Sequence, residues 1–233
     1  MTTIDIIPIL SDNYAYLLRS DDGKTAIVDP GEAAPIMAYL DAHNLSLDLV
    51  INTHHHWDHV NGNDELIAKY KCPLAAPNDA ADITLQGGRA LEFGGDSIDI
   101  IATPAHTLDH ICLYSAKGNF VITGDTLFVM GCGRLFEGTA EMLFKSFQKL
   151  HALPDDTRVY CGHEYTLGNA EFSNNIDREN TDIAARLGVI REKRARGEIT
   201  IPSTIGEEKK TNLFFMAKDA MTLAELRRLK DNC

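Results

Sequence analysis

Several features that mark other protein classes are missing from this 233-residue sequence. It has no run of about 18 apolar residues, so no segment is typical of a membrane-spanning helix. It has no basic block, and 22 Lys and Arg against 34 Asp and Glu give a formal net charge of −12. An acidic chain of this kind is a poor candidate for binding nucleic acid or an anionic membrane. We therefore expect neither partner.

Paired cysteines are also lacking. The cysteines are odd in number, widely spaced and without a CxxC motif: Cys72, Cys112, Cys132, Cys161 and Cys233. This pattern argues against a disulfide framework and is typical of a reducing compartment. The segment that starts at Met1 has no basic leader of the kind found in signal peptides. We expect free thiols and a cytoplasmic protein.

Short strand patterns separated by turn signals fill the first two thirds of the chain. The predicted strands are Thr3–Ile9, Tyr14–Leu18, Thr25–Val28, Leu47–Ile51, Ile98–Ala102, Ile111–Tyr114, Phe120–Ile122 and Arg158–Cys161. Helices are predicted at Pro35–His43, at Asp64–Tyr70 and from Leu143 to Leu150, the last with Thr139 as N-cap. Strands joined both by hairpins and by helices predict an α/β protein.

The last third of the chain has a different pattern. Strand signals nearly vanish from about Thr166, and Ile183, Leu187 and Ile190 mark a helix. The sequence Thr222-Leu-Ala-Glu225 is typical of a capping box that opens a final helix. We predict two domains, one over residues 1–165 and a mainly helical one over residues 166–233.

A dense histidine cluster follows the predicted strand Leu47–Ile51. Four histidines fall within six residues, in the sequence His-His-His-Trp-Asp-His at positions 54–59. Side chains alternate along an extended chain, so His54 and His56 should face one side and His55 the other. With Asp58 and His59 on the next turn, this is a donor set suited to a divalent metal. Trp57 is expected to pack rather than to contact substrate.

Three more polar residues follow apolar strands in the same way. They are His106, Asp125 and His163. Ligands of open α/β sheets collect beyond the carboxyl ends of strands, so these side chains are expected near the histidine cluster. Five histidines and two aspartates are too many for one tetrahedral ion and suit two. Either Asp125 or Asp58 is suited to bridge a pair of ions.

These residues resemble the signature of the metallo-β-lactamase superfamily. Further segments resemble its glyoxalase II family, the hydroxyacylglutathione hydrolases. They are Val28–Gly31, Gly124–Thr139, Cys161–Thr166 and a tail with Arg227–Asp231. The resemblance covers essentially the whole chain. It implies an α/β metallo-β-lactamase-like αββα sandwich with a C-terminal mainly α-helical, substrate-binding domain.

The resemblance also implies the roles of the site residues. His54, His56 and His106 would hold one metal ion, and Asp58, His59 and His163 a second. Asp125 would bridge the ions together with a hydroxide, so that Asp58 and Asp125 count as catalytic. Asp29 would orient a ligand imidazole, and His110 would lie beside the site without binding metal. Zinc is the expected ion, and iron and manganese fit the same donors.

The implied reaction is hydrolysis of S-D-lactoylglutathione to glutathione and D-lactate, the second step of methylglyoxal detoxification. Glutathione contacts are implied for Arg134, Phe136, Tyr165, Arg227 and Lys230. Two of these depart from the eukaryotic-type pattern, because Arg134 stands for Lys and Phe136 for Tyr. Asp109 replaces a usual Gly and places an extra negative charge near the site. We expect a monomer whose partner is the glutathione thioester.

Two other functions belong to different classes. A redox or oxygenase protein on the same scaffold would hold a single iron, and the complete ligand set argues against it. A non-catalytic zinc protein would use the cluster to stabilise its fold, but structural zinc sites are usually rich in cysteine. A count of metal ions tests the first alternative, and a thioester turnover assay tests the second.

Overall fold

The computed structural model describes residues 2–232, so Met1 and Cys233 lie outside the described residues. The strands are β1 (Thr3–Ile9), β2 (Asn13–Arg19), β3 (Thr25–Val28), β4 (Leu49–Ile51), β5 (Leu74–Ala76), β6 (Ile83–Thr84), β7 (Ala90–Phe93), β8 (Asp96–Ala102), β9 (Ile111–Ser115), β10 (Phe120–Gly124), β11 (Leu127–Phe128), β12 (Gly131–Cys132), β13 (Arg158–Cys161) and β14 (Ser203–Thr204). The helices are α1 (Ala33–Ala42), α2 (Trp57–Val60), α3 (Asn63–Tyr70), α4 (Ala140–His151), α5 (Thr166–Ile176), α6 (Thr181–Ala195), α7 (Ile205–Thr211) and α8 (Ala220–Asp231).

The chain folds as two compact units. Residues up to Ala102 with Asp109–Phe120 form one, and Thr103–Leu108 with the residues from Val121 onward form the other. The first unit contains a sheet in the order β1-β2-β3-β4-β5-β6. Its first three strands are antiparallel, and β3 to β6 run parallel. Strands β7, β8 and β9 form a second, antiparallel group in this unit.

Two helices cover one face of the first sheet. Ile36 and Leu40 of α1 and Leu66 of α3 share a buried cluster with the strand residues Leu17 and Ile27. Each such side chain contributes roughly 1.5–3 kcal/mol when it leaves water. The packing fixes β3 and β4, whose carboxyl ends lead directly into Asp29 and the histidine cluster.

The second unit combines strands in the order β14-β13-β10 with the hairpin β11–β12 and helices α4 to α8. Helix α4 buries Leu143, Phe147 and Leu150 at helical spacing. Its N-cap is Thr139, whose hydroxyl accepts a hydrogen bond from the Met142 N–H, as the sequence predicted.

A buried ion pair connects helices α6 and α7 to the hairpin. Glu208 is fully buried, and its carboxylate lies 2.7 Å from Nη2 of Arg186. The same carboxylate accepts hydrogen bonds from the Met130 N–H at 2.8 Å and from Nδ2 of Asn212 at 2.9 Å. Asn212 in turn donates to the carbonyls of Phe128 and Gly131. Most of the lone pairs of the buried carboxylate are therefore used.

Most elements expected from the sequence are present, and the α/β prediction is confirmed. Two helix starts were predicted two or more residues too late. Helix α1 begins at Ala33, not at Pro35. The N-cap of α8 is Asp219, three residues before the predicted N-cap Thr222, because the Asp219 carboxylate accepts the Thr222 N–H at 2.8 Å, and the helix begins at Ala220. The split at residue 165 remains a prediction.

The described cysteines are all buried and free, as expected: Cys72, Cys112, Cys132 and Cys161. Cys233 is outside the described residues. Within residues 2–232, none of the helices combines the length and the apolar character that crossing a membrane requires.

Candidate metal centre and active site

The histidine cluster is folded into a compact loop after β4. Asn52 is buried and its side-chain amide donates to the His59 carbonyl at 3.1 Å, which draws the two ends of the loop together. A second amide pair supports it, since Nδ2 of Asn63 donates to Oδ1 of Asn52 at 2.7 Å. His56 is the N-cap of α2, and Asp58 lies in its first turn. Short local bonds thus gather the predicted donors of residues 54–59.

Asp29 organises the buried part of this loop. It is 2% exposed and its carboxylate accepts from the Thr53 N–H at 2.8 Å and the Thr53 hydroxyl at 2.7 Å. Its Oδ2 also lies 3.1 Å from Nδ1 of His59. A proton held on Nδ1 leaves Nε2 of His59 as a lone-pair donor, the form in which imidazole binds metal. Donor atoms of Asp29, His54 and His59 lie within 4.8 Å of one another.

The neighbouring histidines take different positions. The His110 ring stacks on His54 with centroids 4.8 Å apart, beside the cluster as expected. His55 instead pairs with Asp109, whose carboxylate oxygens both lie 3.1 Å from its Nδ1. The His55 side chain is 49% exposed. Asp109, the unusual acid of this segment, therefore has a partner in the histidine that was predicted to face away.

The second unit contains its own convergent donor set of His106, Asp125 and His163. Nε2 of His106 lies 3.4 Å from Oδ2 of Asp125, and Nε2 of His163 lies 3.3 Å from the same oxygen. All three residues are buried. Nδ1 of His106 lies 2.8 Å from the Arg134 carbonyl, which can only accept, so the Nδ1 proton is held there and Nε2 keeps its lone pair.

Gly133 is required by this packing. A Cβ atom at this position would overlap the backbone oxygen of Asp125 and lie 3.0 Å from Nδ1 of His106. Only a residue without a side chain lets the segment leading to Arg134 pass this close to both donors.

The donor chemistry fits divalent metal ions. Imidazoles whose Nδ1 atoms are held by Asp29 and by the Arg134 carbonyl present Nε2, and carboxylates supply the negative charge. Borderline divalent cations prefer this mixture. Burial raises the pKa of the Cys132 thiol to about 11 and also raises that of the Cys161 thiol. Neither is a thiolate at neutral pH.

Three of the predicted glutathione contacts lie close to the second donor set. The Tyr165 ring stacks on His163 at 4.6 Å, and the Phe136 ring meets His106 edge-on at 5.2 Å. Phe136 is 61% exposed, and the Arg134 side chain is 67% exposed. These side chains border the donor set and are accessible to a ligand.

The two predicted contacts on α8 differ from each other. Arg227 is 7% exposed and donates to the Cys132 carbonyl at 3.0 Å, and its Nη2 lies 2.8 Å from Asp231. Lys230 donates to the Gly168 carbonyl at 2.8 Å, with its ammonium 5.1 Å from the Phe172 ring centroid. Arg227 therefore joins α8 to β12, a contact that the sequence did not predict.

Sequence reasoning missed several other features. The Asn13 side chain donates to Asp58 at 3.0 Å, across 45 positions of sequence, and no local pattern indicates this. Trp57 was expected to pack, but it is 67% exposed. It occupies the first turn of a four-residue helix that is too short to bury it.

Comparison with known proteins gives two family matches. Residues 10–163 match the metallo-β-lactamase superfamily, and residues 164–233 match the C-terminus of hydroxyacylglutathione hydrolase. The hydroxyacylglutathione hydrolase of Rhodopseudomonas palustris (strain HaA2) is 45% identical over 221 residues, covering 92% of this chain and 87% of the relative. That of Ruegeria pomeroyi is 42% identical and covers 97% of both chains.

Solved structures support the fold. The crystal structure of ETHE1 from Myxococcus xanthus has a TM-score of 0.75 at 24% identity and covers 98% of this chain and 90% of that one. The BLEG-1 B3 metallo-β-lactamase has a TM-score of 0.71 at 22% identity and covers 92% of this chain and 100% of that one. The predicted metallo-β-lactamase-like fold with a helical C-terminal part is confirmed. The chain belongs to the hydroxyacylglutathione hydrolase family, glyoxalase II, of the metallo-β-lactamase superfamily.

Proposed function

We propose that this protein hydrolyses S-2-hydroxyacyl thioesters of glutathione, with S-D-lactoylglutathione giving glutathione and D-lactate. In the cell this is the second step of methylglyoxal detoxification. The observation that carries the proposal is the approach of two buried imidazole Nε2 atoms to one Asp125 oxygen, at 3.4 and 3.3 Å. Family membership supports the substrate class.

The proposed metal centre contains two divalent ions, with zinc as the expected metal. His54, His56 and His106 would hold one ion, Asp58, His59 and His163 would hold the other, and Asp125 would contribute to both. When bound, divalent ions would act as a Lewis acid and would lower the pKa of water to about 7, so that hydroxide would be available as the nucleophile. The same donors would also bind iron or manganese.

The chain's own residues prepare this chemistry by fixing protons and charge. Asp29 holds the Nδ1 proton of His59, and the Arg134 carbonyl holds that of His106. The carboxylates of Asp58 and Asp125 offset the positive charge that the donors gather. Because these groups are held before substrate arrives, little reorganisation is needed during the reaction.

The leaving group needs little help. A thiolate has a parent pKa of about 8.5, so it departs near neutral pH without a general acid. No Ser or Cys nucleophile is assigned. Burial raises the pKa of the Cys132 thiol to about 11 and keeps it protonated, which agrees with that assignment.

Substrate binding is proposed for the residues that border the donor set. Arg134 supplies a cation for a glutathione carboxylate, and Phe136 and Tyr165 supply apolar and aromatic surface. Lys230 and Arg227 on α8 are proposed as further contacts, with Arg227 also holding α8 to the Cys132 carbonyl. Arg134 keeps the positive charge expected at its position, whereas Phe136 offers no hydroxyl to the peptide.

Two further properties are proposed, a cytoplasmic location and a monomeric state. The acidic composition is compatible with a cytoplasmic enzyme that binds neither nucleic acid nor membrane. A monomer is expected, and light scattering coupled to gel filtration should then return a mass near 25.7 kDa. A doubled mass would contradict the monomer.

A turnover assay tests the function. Purified, metal-replete protein should release thiol from S-D-lactoylglutathione, detected with a chromogenic disulfide, and chelation should stop the release. Elemental analysis of the same sample should give two metal ions per chain. Absence of thiol release would refute the hydrolase. Full activity with one ion per chain would refute the dinuclear centre and leave the hydrolase intact.

A further inference from the structure

Asn13 occupies a rigid position at the end of the turn between β1 and β2. It is the first residue of β2, is paired with Ile9 and is 5% exposed. The turn is secured at Leu10, whose φ is +50° and whose N–H donates to Oε2 of Glu32 at 2.9 Å. A side chain fixed in this way loses little freedom when it binds a partner.

The partner of Asn13 is Asp58. Nδ2 of Asn13 donates to the Asp58 carboxylate at 3.0 Å and to the Asp58 backbone carbonyl at 3.3 Å. Both acceptors need a donor, so the amide must present its NH2 group to Asp58. The carboxylate oxygen that accepts this bond is also the one 3.6 Å from Nε2 of His59.

The backbone of Asp58 is fixed at the same place. A Cβ at Gly31 would overlap the Asp58 carbonyl oxygen, so only glycine there leaves room for the carbonyl beside Asn13. Both the main chain and the side chain of Asp58 are therefore positioned from outside the helix α2 that carries them.

We propose that Asn13 is a positioning residue for Asp58, which orients its carboxylate toward the metal centre. The inference rests on the proposed function, because it takes Asp58 as a metal ligand. A neutral amide suits this role. It donates a hydrogen bond without cancelling the negative charge that a cation requires, and a carboxylate oxygen has a second lone pair for the metal. Groups that orient ligands in this way typically change metal affinity by about 10–100-fold.

The test is metal binding, measured by competition with a chromophoric chelator. Asn13→Leu keeps the branching at Cγ but has no hydrogen-bond donor. The variant should lower the affinity for one of the two metal ions by about 10–100-fold and leave the affinity for the other unchanged. Asn61→Ala, which changes an exposed asparagine three positions from Asp58, is the matched control and should bind metal as the unmodified protein does. If Asn13→Leu fails to fold by circular dichroism, Asn13→Ala supplies the same measurement.

A double variant decides whether Asn13 acts through Asp58. In an Asp58→Ala background, Asn13→Leu should cause no further loss of metal affinity. Unchanged metal binding by Asn13→Leu, or an equal loss in both backgrounds, would overturn the inference. Failure of the unmodified protein to bind a second ion would instead refute the proposed dinuclear centre, so the two failures are distinguishable.

Discussion

Individual side chains in the donor sets are controlled by the groups behind them. His59 is backed by the Asp29 carboxylate and His106 by a backbone carbonyl, so each imidazole has a defined tautomer. Asp125 differs, because Nε2 atoms of two imidazoles approach one of its oxygens. Its removal should therefore do more than loosen a ligand.

We predict that Asp125→Ala abolishes turnover and lowers the metal content. The variant removes the anion that offsets two neighbouring cations, and their repulsion should expel at least one ion. Elemental analysis and the thiol-release assay measure both effects. His55→Ala is the control, since the partly exposed His55 pairs with Asp109, and its metal content should stay intact. Two ions with near-normal kcat in Asp125→Ala would refute the shared-ligand role.

For single residues, the sequence predicts the candidate metal-donor side chains better than it predicts the side chains that hold them by hydrogen bonds. The donors of residues 54–59 are contiguous, and His106, Asp125 and His163 each follow an apolar strand. Asn13 carries no such signal, because its contact with Asp58 spans 45 positions and exists only once β2 and α2 have packed. Hydrogen bonds of this kind depend on tertiary geometry and leave no local pattern.

Among the elements, helix α8 shows how a cap is chosen. Thr222 and Glu225 have the spacing of a capping box, but Asp219 provides an acceptor one turn earlier and the helix begins there. Capping by Asp adds a carboxylate near the helix N-terminus, where negative charge is stabilised. The local sequence contains two possible N-caps, Asp219 and Thr222, and the folded chain uses Asp219.

We predict that Asp219→Ala destabilises the protein more than Thr222→Ala does. The hydrogen bond from the Thr222 N–H lowers the pKa of the Asp219 carboxyl below its ordinary 3.8. The contribution is therefore complete above the unfolded pKa and is lost as the pH falls through the lower folded pKa. Denaturant titrations at neutral pH should give Asp219→Ala a lower free energy of unfolding than Thr222→Ala. Well below pH 3.8 this difference should disappear. Equal stabilities at neutral pH would contradict the assigned cap.

Substitutions at Arg134 and on helix α8 should affect substrate binding differently. Arg134→Ala should raise KM for the glutathione thioester strongly, with little change in kcat, because an exposed cation that binds the peptide acts equally on ground and transition states. A small thioester without the peptide should be hydrolysed as before. Equal losses with both substrates would remove Arg134 from the glutathione site. Arg227→Ala is a poor substitute, because the Arg227 guanidinium is buried against Cys132 and Asp231.

Continuous apolar runs and amphipathic helices were predictable, and two-residue strands were not. Strands β2, β3 and β4 are largely apolar runs that are buried almost without interruption, and α4 buries its apolar residues at helical spacing. The two-residue strands β11, β12 and β14 have no detectable period and form because neighbouring backbone is available. The hairpin β11–β12 is nevertheless close to the site, since it carries Phe128 against His163.

For the whole molecule, composition and family resemblance predicted the α/β fold class correctly. They did not predict which contacts stabilise the second unit. Nothing in the sequence distinguishes Glu208 from its exposed neighbour Glu207. Glu208 is fully buried with Arg186, and its carboxylate holds the hairpin through the Met130 N–H. A buried charge with this many partners becomes costly when one partner is removed.

We predict that Glu208→Ala lowers the free energy of unfolding by about 3–5 kcal/mol, because the partly buried Arg186 loses its nearest counter-ion and the buried Met130 N–H and Asn212 amide lose their acceptor. Equilibrium denaturation followed by circular dichroism measures the loss. Glu225→Ala is the matched control, since it removes an exposed carboxylate that pairs with Arg228. It should leave the free energy of unfolding nearly unchanged. A small effect at Glu208 would mean that Arg186 finds another partner or water.

Gly133 limits which changes this protein tolerates. It offers no donor atom, yet any side chain there would enter the space occupied by the Asp125 backbone and the His106 ring. A saturation scan that records only surviving activity would therefore place Gly133 beside the histidines and aspartates. Directed evolution toward new substrates would have to leave it unchanged, and diversity would have to be introduced at exposed positions such as Phe136.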